Sequence, residues 1–313
     1  MQLSEDLPCE YRYIIDRVGL YIIDNIFYVA GDRVIRSPND KVQVEVVSES
    51  KFSLDIDESI DLPKAFEGLA ELISLAPGAG WILLAHTISG IIRSAFVSAG
   101  ITPCTILMIV GKTGMHKSSY VPLITQLYNR GKGTKPNTRF SSSVSFIEDE
   151  LCEYRHCTYI IDDIHTASSS SIKRDNETLA EKIARMTGDN IGRGRKIGKE
   201  SRQCEFEGNV VFIGEYTIGA ESTIPRMLFV ELTQEIDGAV MDKYQRSEKL
   251  LVSTFYWHFI RWLVDNYKNI CDAINMKFTK FRESDQQLPV HGRLADTLFY
   301  LRMSQSVLLE FCI

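Results

Sequence analysis

Residues 106–119 read ILMIVGKTGMHKSS, and this stretch decides the fold. Its first five residues are continuously apolar, which predicts a β-strand buried on both faces. A glycine turn and a Lys-Ser pair follow, and Val121, Leu123, Ile124 and Leu127 then recur at helical spacing. A strand, a glycine turn and a helix N-terminus together gather backbone N–H groups in one loop. That arrangement binds phosphate.

This order of elements is that of a Walker A loop, with Lys117 expected beside the β and γ phosphates of ATP and Ser118 expected to ligate Mg²⁺. His116 occupies the position of the final glycine, where backbone often needs positive φ. A glycine turn before a helix with a chance Lys-Ser pair is the alternative interpretation. The residues predicted to contact the nucleotide are Gly111, Thr113, Gly114, Met115, His116, Lys117, Ser118 and Ser119.

An acidic strand follows about 45 residues later, reading Tyr159-Ile-Ile-Asp-Asp163. An apolar strand that ends in acids is the Walker B pattern. Asp162 is predicted to hold Mg²⁺ through water, and Asp163 to polarise the attacking water as a catalytic residue. The alternative is a strand that ends in a solvated acidic turn.

Two further elements come in the order expected of such an ATPase. Residues 209–215 read NVVFIGE, a buried strand that ends in a polar residue, and Glu215 or Thr217 is predicted to sense the γ phosphate. Arg226 stands immediately before the apolar run 227–232. In ring ATPases an arginine there reaches the neighbouring subunit's site and stabilises charge in the transition state. A plain strand end and a surface arginine are the alternatives.

Residues 192–202 read GRGRKIGKESR, a basic segment in a chain of net charge -6. Its glycines predict a hairpin, and its cations are expected to contact the phosphates of single-stranded DNA without reading sequence. The residues predicted to do so are Arg193, Arg195, Lys196 and Lys199. Arg193 or Arg195 serving a neighbour's ATP, and a solvated charged loop, are the alternatives. The loop Arg130–Arg139, with Lys132 and Lys135, is a weaker second basic patch.

Composition bounds these interpretations. Seven scattered cysteines among 313 residues indicate no disulfide framework, which favours a reducing cytoplasm, and the polar N-terminus lacks the layout of a signal peptide.

The apolar stretch 79–111 has a transmembrane helix as its competing interpretation. Arg93 would then cost ~2.5–3.5 kcal/mol near the bilayer centre. A buried helix over 80–99 and a strand over 104–110 are predicted instead, with no membrane contact.

Hydrophobic periodicity divides the chain into three regions. Residues 1–60 predict an accessory module of antiparallel strands, with a hairpin around Asp24-Asn25 and alternating runs at 42–46 and 52–56. Residues 61–235 begin with a helix over 62–73 and continue as an α/β unit. Its predicted parallel strands are Thr105–Val110, Arg139–Ser142, Thr158–Asp162, Asn209–Ile213 and Met227–Leu232. Residues 236–313 predict a helical lid, with Leu251, Phe255, Phe259 and Trp262 on one helix face and Leu294, Leu298, Leu301 and Leu308 on another.

Two histidine signals are discounted. Cys152, His156 and Cys157 have no second pair of ligands nearby, whereas structural zinc takes four. His86 lies on an apolar helix, where a buried and satisfied histidine is expected.

Taken together, these motifs resemble the P-loop ATPases of bacterial mobile elements and phages, which are similar to primase-associated superfamily 3 helicases and to the AAA+ class. The resemblance is carried by GKTGMHKSS, YIIDD, GRGR, FIGE, IPR and the HGR at 291–293, over about residues 62–312. The family's first motif often reads TG-x-x-KS, which accommodates His116.

The resemblance implies a P-loop fold with a helical lid and a hexameric ring that couples ATP hydrolysis to DNA remodelling or unwinding in replication or transfer of a mobile element. Arg293 is by resemblance a nucleotide-contacting sensor-2 arginine. A nucleotide-dependent switch and a small-molecule kinase are the alternative classes.

Overall fold

The computed structural model describes residues 12–39, 41–47, 52–125, 127–128, 135–164, 170–189, 195–197, 200–202, 205–218, 223–284 and 292–313. The chain begins with a β module of five strands: β1 (Arg12–Ile15), β2 (Gly19–Ile23), β3 (Asn25–Ala30), β4 (Arg33–Arg36) and β5 (Gln43–Val46). Strands β2, β3 and β4 are antiparallel, and the predicted hairpin is confirmed by the pairing of Ile23 with Asn25. Asp24 makes the turn with a φ of 56°.

Two predictions for this module are wrong. Strand β5 pairs with β1 in parallel, because the chain crosses over β2–β4 before it returns. Residues 52–56 form no strand. Phe52 and Leu54 are nevertheless buried, and the Phe52 ring packs edge-on against Tyr128 and Tyr154 at centroid distances of 5.5 and 5.1 Å. The alternating sequence of residues 52–56 reflects an irregular peptide that buries Phe52 and Leu54 but not the residue between them.

Three helices precede the central sheet: α1 (Leu62–Ser74), α2 (Pro77–Ile91) and α3 (Arg93–Ser98). Asp61 caps α1, since its side chain accepts from Lys64 N at 3.0 Å. The helix predicted over 80–99 is divided at Ile92, where φ is -93° and ψ 17°. None of the described helices is long and apolar enough to cross a membrane.

Five strands form the central sheet. In chain order the first three are β6 (Ile106–Val110), β7 (Thr138–Arg139) and β8 (Thr158–Ile164). A separate hairpin of β9 (Arg195–Ile197) and β10 (Glu200–Arg202) comes next, and the last two sheet strands are β11 (Asn209–Gly214) and β12 (Met227–Glu231). The strand order is β12-β6-β11-β8-β7, and every pairing is parallel. Strands β6 and β11 are buried throughout, which explains their continuous apolar sequence.

The remaining helices are α4 (Lys117–Thr125), α5 (Val144–Glu153), α6 (Ser170–Asp189), α7 (Gly238–Arg246), α8 (Leu251–Ser284) and α9 (Gly292–Cys312). Helix α8 packs on α1 and α3, α9 packs on α2, and α7 packs on α4. The predicted face of α8 is confirmed at Leu251, Phe255 and Phe259, which are buried. The predicted face of α9 is wrong at Leu298, which is 42% exposed, because α9 is in contact with both α2 and α8 and buries Phe299 and Tyr300 instead.

The β module and the central sheet share one continuous hydrophobic core. His156 joins them, since its Nδ1 accepts from Leu20 N at 2.8 Å and its carbonyl accepts from the Tyr28 hydroxyl at 3.1 Å. Burial, with Arg155 nearby, lowers the pKa of His156 well below its usual value, so this ring is neutral and structural.

Gly19 is required at this contact. Its φ is +116°, and a Cβ there would lie 2.9 Å from the His156 ring.

The described residues contain no cluster of three or more His, Cys, Asp or Glu side chains that would hold a metal ion. Among the described cysteines, Cys104, Cys157, Cys271 and Cys312 carry free thiols, whereas Cys152 is disulfide-bonded. The sequence predicted no disulfide framework, and among the described cysteines Cys152 is the exception.

Candidate active site

The predicted phosphate-binding loop connects β6 directly to α4. It turns through two left-handed residues, Gly114 with φ 88° and His116 with φ 59°. An L-residue in this conformation costs roughly 1–2 kcal/mol, but histidine adopts it more readily than most residues. His116 therefore reproduces the backbone geometry for which a glycine was expected, and its side chain is directed outward, with Nε2 3.6 Å from Glu235 Oε1.

Lys117 opens α4 with its side chain folded onto the loop. The side chain is 8% exposed, and Nζ donates to the carbonyls of Gly111 at 2.7 Å and Lys112 at 2.8 Å. Burial lowers the pKa of Lys117, while Glu215 and Asp162 oppose that shift. A buried ammonium group that is held by two carbonyls and flanked by two acids is well placed to transfer its bonds to a stronger anionic acceptor.

Ser118 and Asp162 meet in one cleft of about 700 Å³, although they come from different elements. Ser118 follows Lys117 on α4, and Asp162 lies near the end of β8. The described residues that line the cleft are Ser118, Ser119, Lys135, Pro136, Asn137, Thr138, Arg139, Asp162, Asp242, Gln245 and Arg246. A hydroxyl and a carboxylate that line the same cleft form an all-oxygen donor set of the kind that Mg²⁺ takes.

Helix α7 forms a wall of this cleft that sequence reasoning missed. Asp242, Gln245 and Arg246 line it, and Arg246 Nε donates to Asp242 Oδ1 at 2.8 Å. No motif marks these residues, since α7 shows only the ordinary spacing of a surface helix that buries Met241 and Tyr244. Lys135 and Arg139, expected in a second basic patch, also line the cleft.

Asp163 lies in a different environment from Asp162. Its side chain is exposed, its φ is 77°, and it is not one of the described residues that line the cleft. The left-handed backbone belongs to a bulge, because the pairing of β8 with β11 shifts between Phe212 and Gly214. The two acids are thus adjacent in sequence but differ in exposure, and of the two Asp162 lines the cleft.

Glu215 is in contact with the phosphate loop, although it follows another strand. Its carboxylate accepts from the Thr113 hydroxyl, and its backbone N–H donates to Ile164 O at 2.7 Å. Gly111 N also donates to Gly214 O at 3.2 Å. The structure therefore brings the end of β11 onto the loop, whereas Thr217, the other predicted sensor, is exposed.

We use "P-loop end" for the edge of the sheet where β6, β8 and β11 terminate, and "far end" for the edge where they begin. Arg226 is placed at the far end, because Met227 pairs with Ile106, the first residue of β6. Arg293 is also there. The Thr297 hydroxyl donates to Arg293 O at 2.8 Å and lies 2.5 Å from the hydroxyl of Thr105, the residue before β6. Neither arginine is brought to the P-loop of its own chain.

The predicted basic hairpin is formed by β9 and β10, with Glu200 paired to Ile197 and Arg202 to Arg195. Arg195 and Lys196 lie on β9. Arg193 and Lys199 lie outside the described residues. The hairpin follows α6, whose last described residues lie beside Arg226.

The residues at the P-loop end fit a nucleotide and its magnesium ion. Gly114 has open space around it, and the first turn of α4 carries no acid that would repel phosphate. Ser118 and Asp162 supply oxygen ligands in the same cleft as the helix N-terminus. The predicted residues Met115 and Ser119 border this region, Met115 through its sulfur beside Gly111 and Ser119 as part of the cleft.

The architecture is similar to that of SCCmec type IV Cch, a solved structure described as an active helicase. The likeness has a TM-score of 0.67 at 15% identity and covers 97% of this chain and 57% of that one. The fold is a P-loop NTPase fold. The chain thus spans little more than half the length of that helicase.

Two other likenesses are weaker. The apo NrS-1 C-terminal region matches with a TM-score of 0.37 at 9% identity, over 77% of this chain and 64% of that one. JCV helicase matches with a TM-score of 0.33 at 12% identity, over 77% and 73%. Neither supports an argument. No protein-family model and no curated protein matches the sequence.

Proposed function

We propose that this chain binds ATP with Mg²⁺, hydrolyses it, and uses the hydrolysis to remodel or unwind DNA. One observation carries the proposal: Lys117 and the cleft that joins Ser118 to Asp162 lie together at the P-loop end, although these residues come from separate segments. A phosphate-binding loop alone occurs in many folds, whereas a loop lysine flanked by a second acidic strand is the arrangement that phosphoryl transfer requires.

Each residue has a distinct role in the proposed site. Lys117 exchanges its bonds to Gly111 and Lys112 for bonds to phosphate oxygens, because a charged acceptor binds an ammonium group more strongly than a carbonyl does. Ser118 and Asp162 would hold Mg²⁺, which supplies neutralisation of phosphate charge. The loop amides and the N-terminus of α4 orient the phosphates.

Two acids compete for the role of activating water. Asp163 is exposed at the end of β8 and is the proposed base. Glu215 instead accepts from Thr113, a loop residue, so its carboxylate responds to any movement of the loop. We assign Glu215 the sensing role because it is already in contact with the loop.

The DNA and ring parts of the proposal rest on other residues. The hairpin β9–β10 contains Arg195 and Lys196 in a chain of net charge -6, and Arg226 lies at the far end, away from its own site. A cationic hairpin that contacts phosphates binds single-stranded DNA without sequence preference. A head-to-tail ring, proposed here as a hexamer acting in the cytoplasm for a mobile element, would bring Arg226 to the next copy.

The test is ATP hydrolysis by the native chain, Lys117→Ala and Lys112→Ala, each with and without single-stranded DNA. Lys112 is the matched control, since it is a lysine of the same loop whose side chain is exposed and whose contribution to the site is a backbone carbonyl. We expect Lys117→Ala to lose at least about 100-fold in kcat and Lys112→Ala to keep its activity.

The outcomes separate the classes of function. Equal hydrolysis by Lys117→Ala and the native chain would overturn the nucleotide site. Hydrolysis that DNA does not stimulate would retain the site but favour a nucleotide-dependent switch over a motor. A mass that does not change when ATP is added would count against the ring and favour a small-molecule kinase.

A further inference from the structure

One cationic side chain in the cleft of the P-loop end lacks a counter-ion among the described residues. Lys135, Arg139 and Arg246 all line this cleft. Arg246 is paired with Asp242, since its Nε lies 2.8 Å from Asp242 Oδ1. The guanidinium group of Arg139, by contrast, makes no ion pair and no hydrogen bond with any other residue that the structure describes. The charge of Arg139 is therefore available to a ligand.

The backbone of Arg139 is fixed, although its side chain is free. Phe140 N donates to Asp162 O at 2.9 Å, and Ser142 N donates to Arg139 O at 3.0 Å. The Phe140 ring is buried and packs edge-on against Phe212 at a centroid distance of 4.9 Å. These contacts hold the Cα of Arg139 at the edge of the cleft, so that the side chain alone has to move to meet a ligand.

The register of the sheet places Arg139 beside Asp162. The two residues are partners in the parallel pairing of β7 with β8, and both line the cleft together with Ser118. Neighbouring strands lie about 4.8 Å apart, and an arginine side chain is longer than that spacing. Although they are opposite in charge, these two described side chains form no ion pair with each other. Arg139 can therefore reach a ligand that Asp162 helps to hold.

The ligand expected beside Asp162 is the γ phosphate of ATP. In P-loop enzymes Mg²⁺ bridges oxygens of the β and γ phosphates, so an ion held by Ser118 and Asp162 brings the γ phosphate to this part of the cleft. A guanidinium group can donate two parallel N–H bonds to phosphate oxygens, which makes the contact strong and directional. Arg139 meets such an anion without first breaking an ion pair to another described residue.

We propose that Arg139 contacts the γ phosphate of the ATP bound in its own chain and stabilises the charge that develops there during hydrolysis. The inference rests on the proposed ATPase function. It adds to that site a cation from β7, a strand that none of the sequence motifs of the site includes. Arg139 keeps its proton throughout, so its contribution is electrostatic. Because Arg139 and the P-loop belong to one chain, the contact does not depend on assembly.

The first measurement is nucleotide binding by the native chain and by Arg139→Gln in the presence of Mg²⁺. A contact to the γ phosphate predicts that Arg139→Gln binds a non-hydrolysable ATP analogue on the order of 10-fold more weakly and binds ADP with unchanged affinity. Equal weakening of both nucleotides would overturn the inference. Arg302→Gln is the matched control, an exposed arginine on α9 that should bind both nucleotides as the native chain does. Urea unfolding should be the same for all three proteins, since both side chains are exposed.

The second measurement is ATP hydrolysis without nucleic acid. We expect Arg139→Gln to lose on the order of 100-fold in kcat, and Arg139→Lys to lose less because it keeps the charge but not the paired N–H donors. An equimolar mixture of Arg139→Gln with Lys117→Ala should stay as inactive as the two variants are separately, since every chain then lacks one group of its own site. Activity that mixing restores would assign Arg139 to a neighbour's site and overturn the inference.

The remaining outcomes separate this inference from the proposed function. A native chain that neither binds nor hydrolyses ATP refutes the proposed function, and the inference falls with it. Native hydrolysis together with full activity of Arg139→Gln overturns the inference alone. If that variant hydrolyses ATP normally but binds single-stranded DNA more weakly, the inference is also overturned, and Arg139 serves nucleic-acid phosphate.

Discussion

Lys117 and Arg93 lie at opposite ends of the central sheet and show what makes a buried cation functional. Lys117 is 8% exposed and donates to two loop carbonyls; Arg93 is 2% exposed and donates to the carbonyls of Pro103 and Gly208. Burial lowers the pKa of both, that of Arg93 to about 10. Lys117, however, borders an open cleft with acids beside it, whereas Arg93 is enclosed. The bonds of Lys117 are exchangeable, and those of Arg93 hold the fold.

The largest effect should be on the free energy of unfolding when the guanidinium group of Arg93 is removed. Arg93→Met leaves the carbonyls of Pro103 and Gly208 buried without their donor, so we expect the free energy of unfolding to fall by about 3 kcal/mol. Urea unfolding measures this, with the exposed Arg302→Met as the control, which should change it by less than about 0.5 kcal/mol. ATP hydrolysis per folded molecule should be retained.

Lys117→Met should show the opposite pattern, with hydrolysis abolished and the free energy of unfolding nearly unchanged. If Arg93→Met proves as stable as the native chain, or if Lys117→Met unfolds it, the distinction between an open and an enclosed cation is wrong.

The next effect compares the two acids at the P-loop end. Asp162→Asn should raise the Mg²⁺ concentration needed for half-maximal hydrolysis by about 10-fold or more, since this residue is expected to bind the ion through water. Asp163→Asn should leave that concentration unchanged and lower kcat by about 100-fold, as expected for the loss of a general base. Asparagine tolerates the positive φ of Asp163, so the bulge should persist.

Magnesium titrations of hydrolysis by both variants check this. Equal shifts in the magnesium requirement would show that the differing exposure of the two acids has no functional meaning.

A third effect is the pH dependence of stability that two enclosed histidines near the far end produce. His86 Nε2 donates to Thr105 O at 3.1 Å, and burial lowers the pKa of His86 to about 4, while that of His156 is lowered further. Both rings are neutral when folded, but each binds a proton below about pH 6.5 when unfolded. The lowered pKa values therefore contribute to the free energy of unfolding in full above pH 6.5, and this contribution is lost as the pH falls towards 4.

Each ring should contribute a slope of about 1.4 kcal/mol per pH unit below pH 6.5. Urea unfolding of the native chain and of His156→Gln at pH 7.5, 6.5 and 5.5 tests this, because glutamine keeps an acceptor for Leu20 N but does not titrate. The free energy of unfolding of the variant should depend less on pH, by about the slope that one ring contributes. Identical slopes for the two proteins would contradict a neutral, enclosed His156.

The smallest effect belongs to the open site. His116→Gly relieves the left-handed strain but adds freedom to the unfolded chain, so the free energy of unfolding should change by less than about 1 kcal/mol. Hydrolysis should be retained, since the backbone amides of the loop keep their direction. A large loss of activity would instead show that the imidazole itself serves the reaction, in which case His116→Asn, which also tolerates this φ, should be equally inactive.

The sequence predicted the parts of the molecule that depend on local pattern. Continuous apolar runs located β6, β8 and β11, because strands covered on both faces have no polar side to interrupt them. The motif spacing predicted that Lys117 and Ser118 stand at a helix start and Asp162 near a strand end, and the structure has them there. Their roles in a nucleotide site stay predictions. Strand ends were less accurate: the predicted run 139–142 is paired only over Thr138–Arg139.

The rest depended on contacts between distant segments. Asp242 and its neighbours on α7 reach the cleft only because α7 packs on α4, and no local signal marks that contact. Arg293 was assigned by resemblance to its own nucleotide, whereas α9 starts beside Thr105 at the far end. The parallel pairing of β1 with β5 likewise joins strands separated by a whole antiparallel sheet. The left-handed φ of Asp163 arises from the bulge against β11.

The contact between Gly19 and His156 has a practical consequence for shortening the chain. An expression clone that started at residue 61 would retain the whole phosphate site, yet it would strip Leu20 and Tyr28 from the surface around Cys157 and leave the His156 ring without its amide donor. The exposed apolar face would favour aggregation during purification. A shortened chain that carries the P-loop should therefore keep β2 and β3, because their side chains form part of the same hydrophobic core.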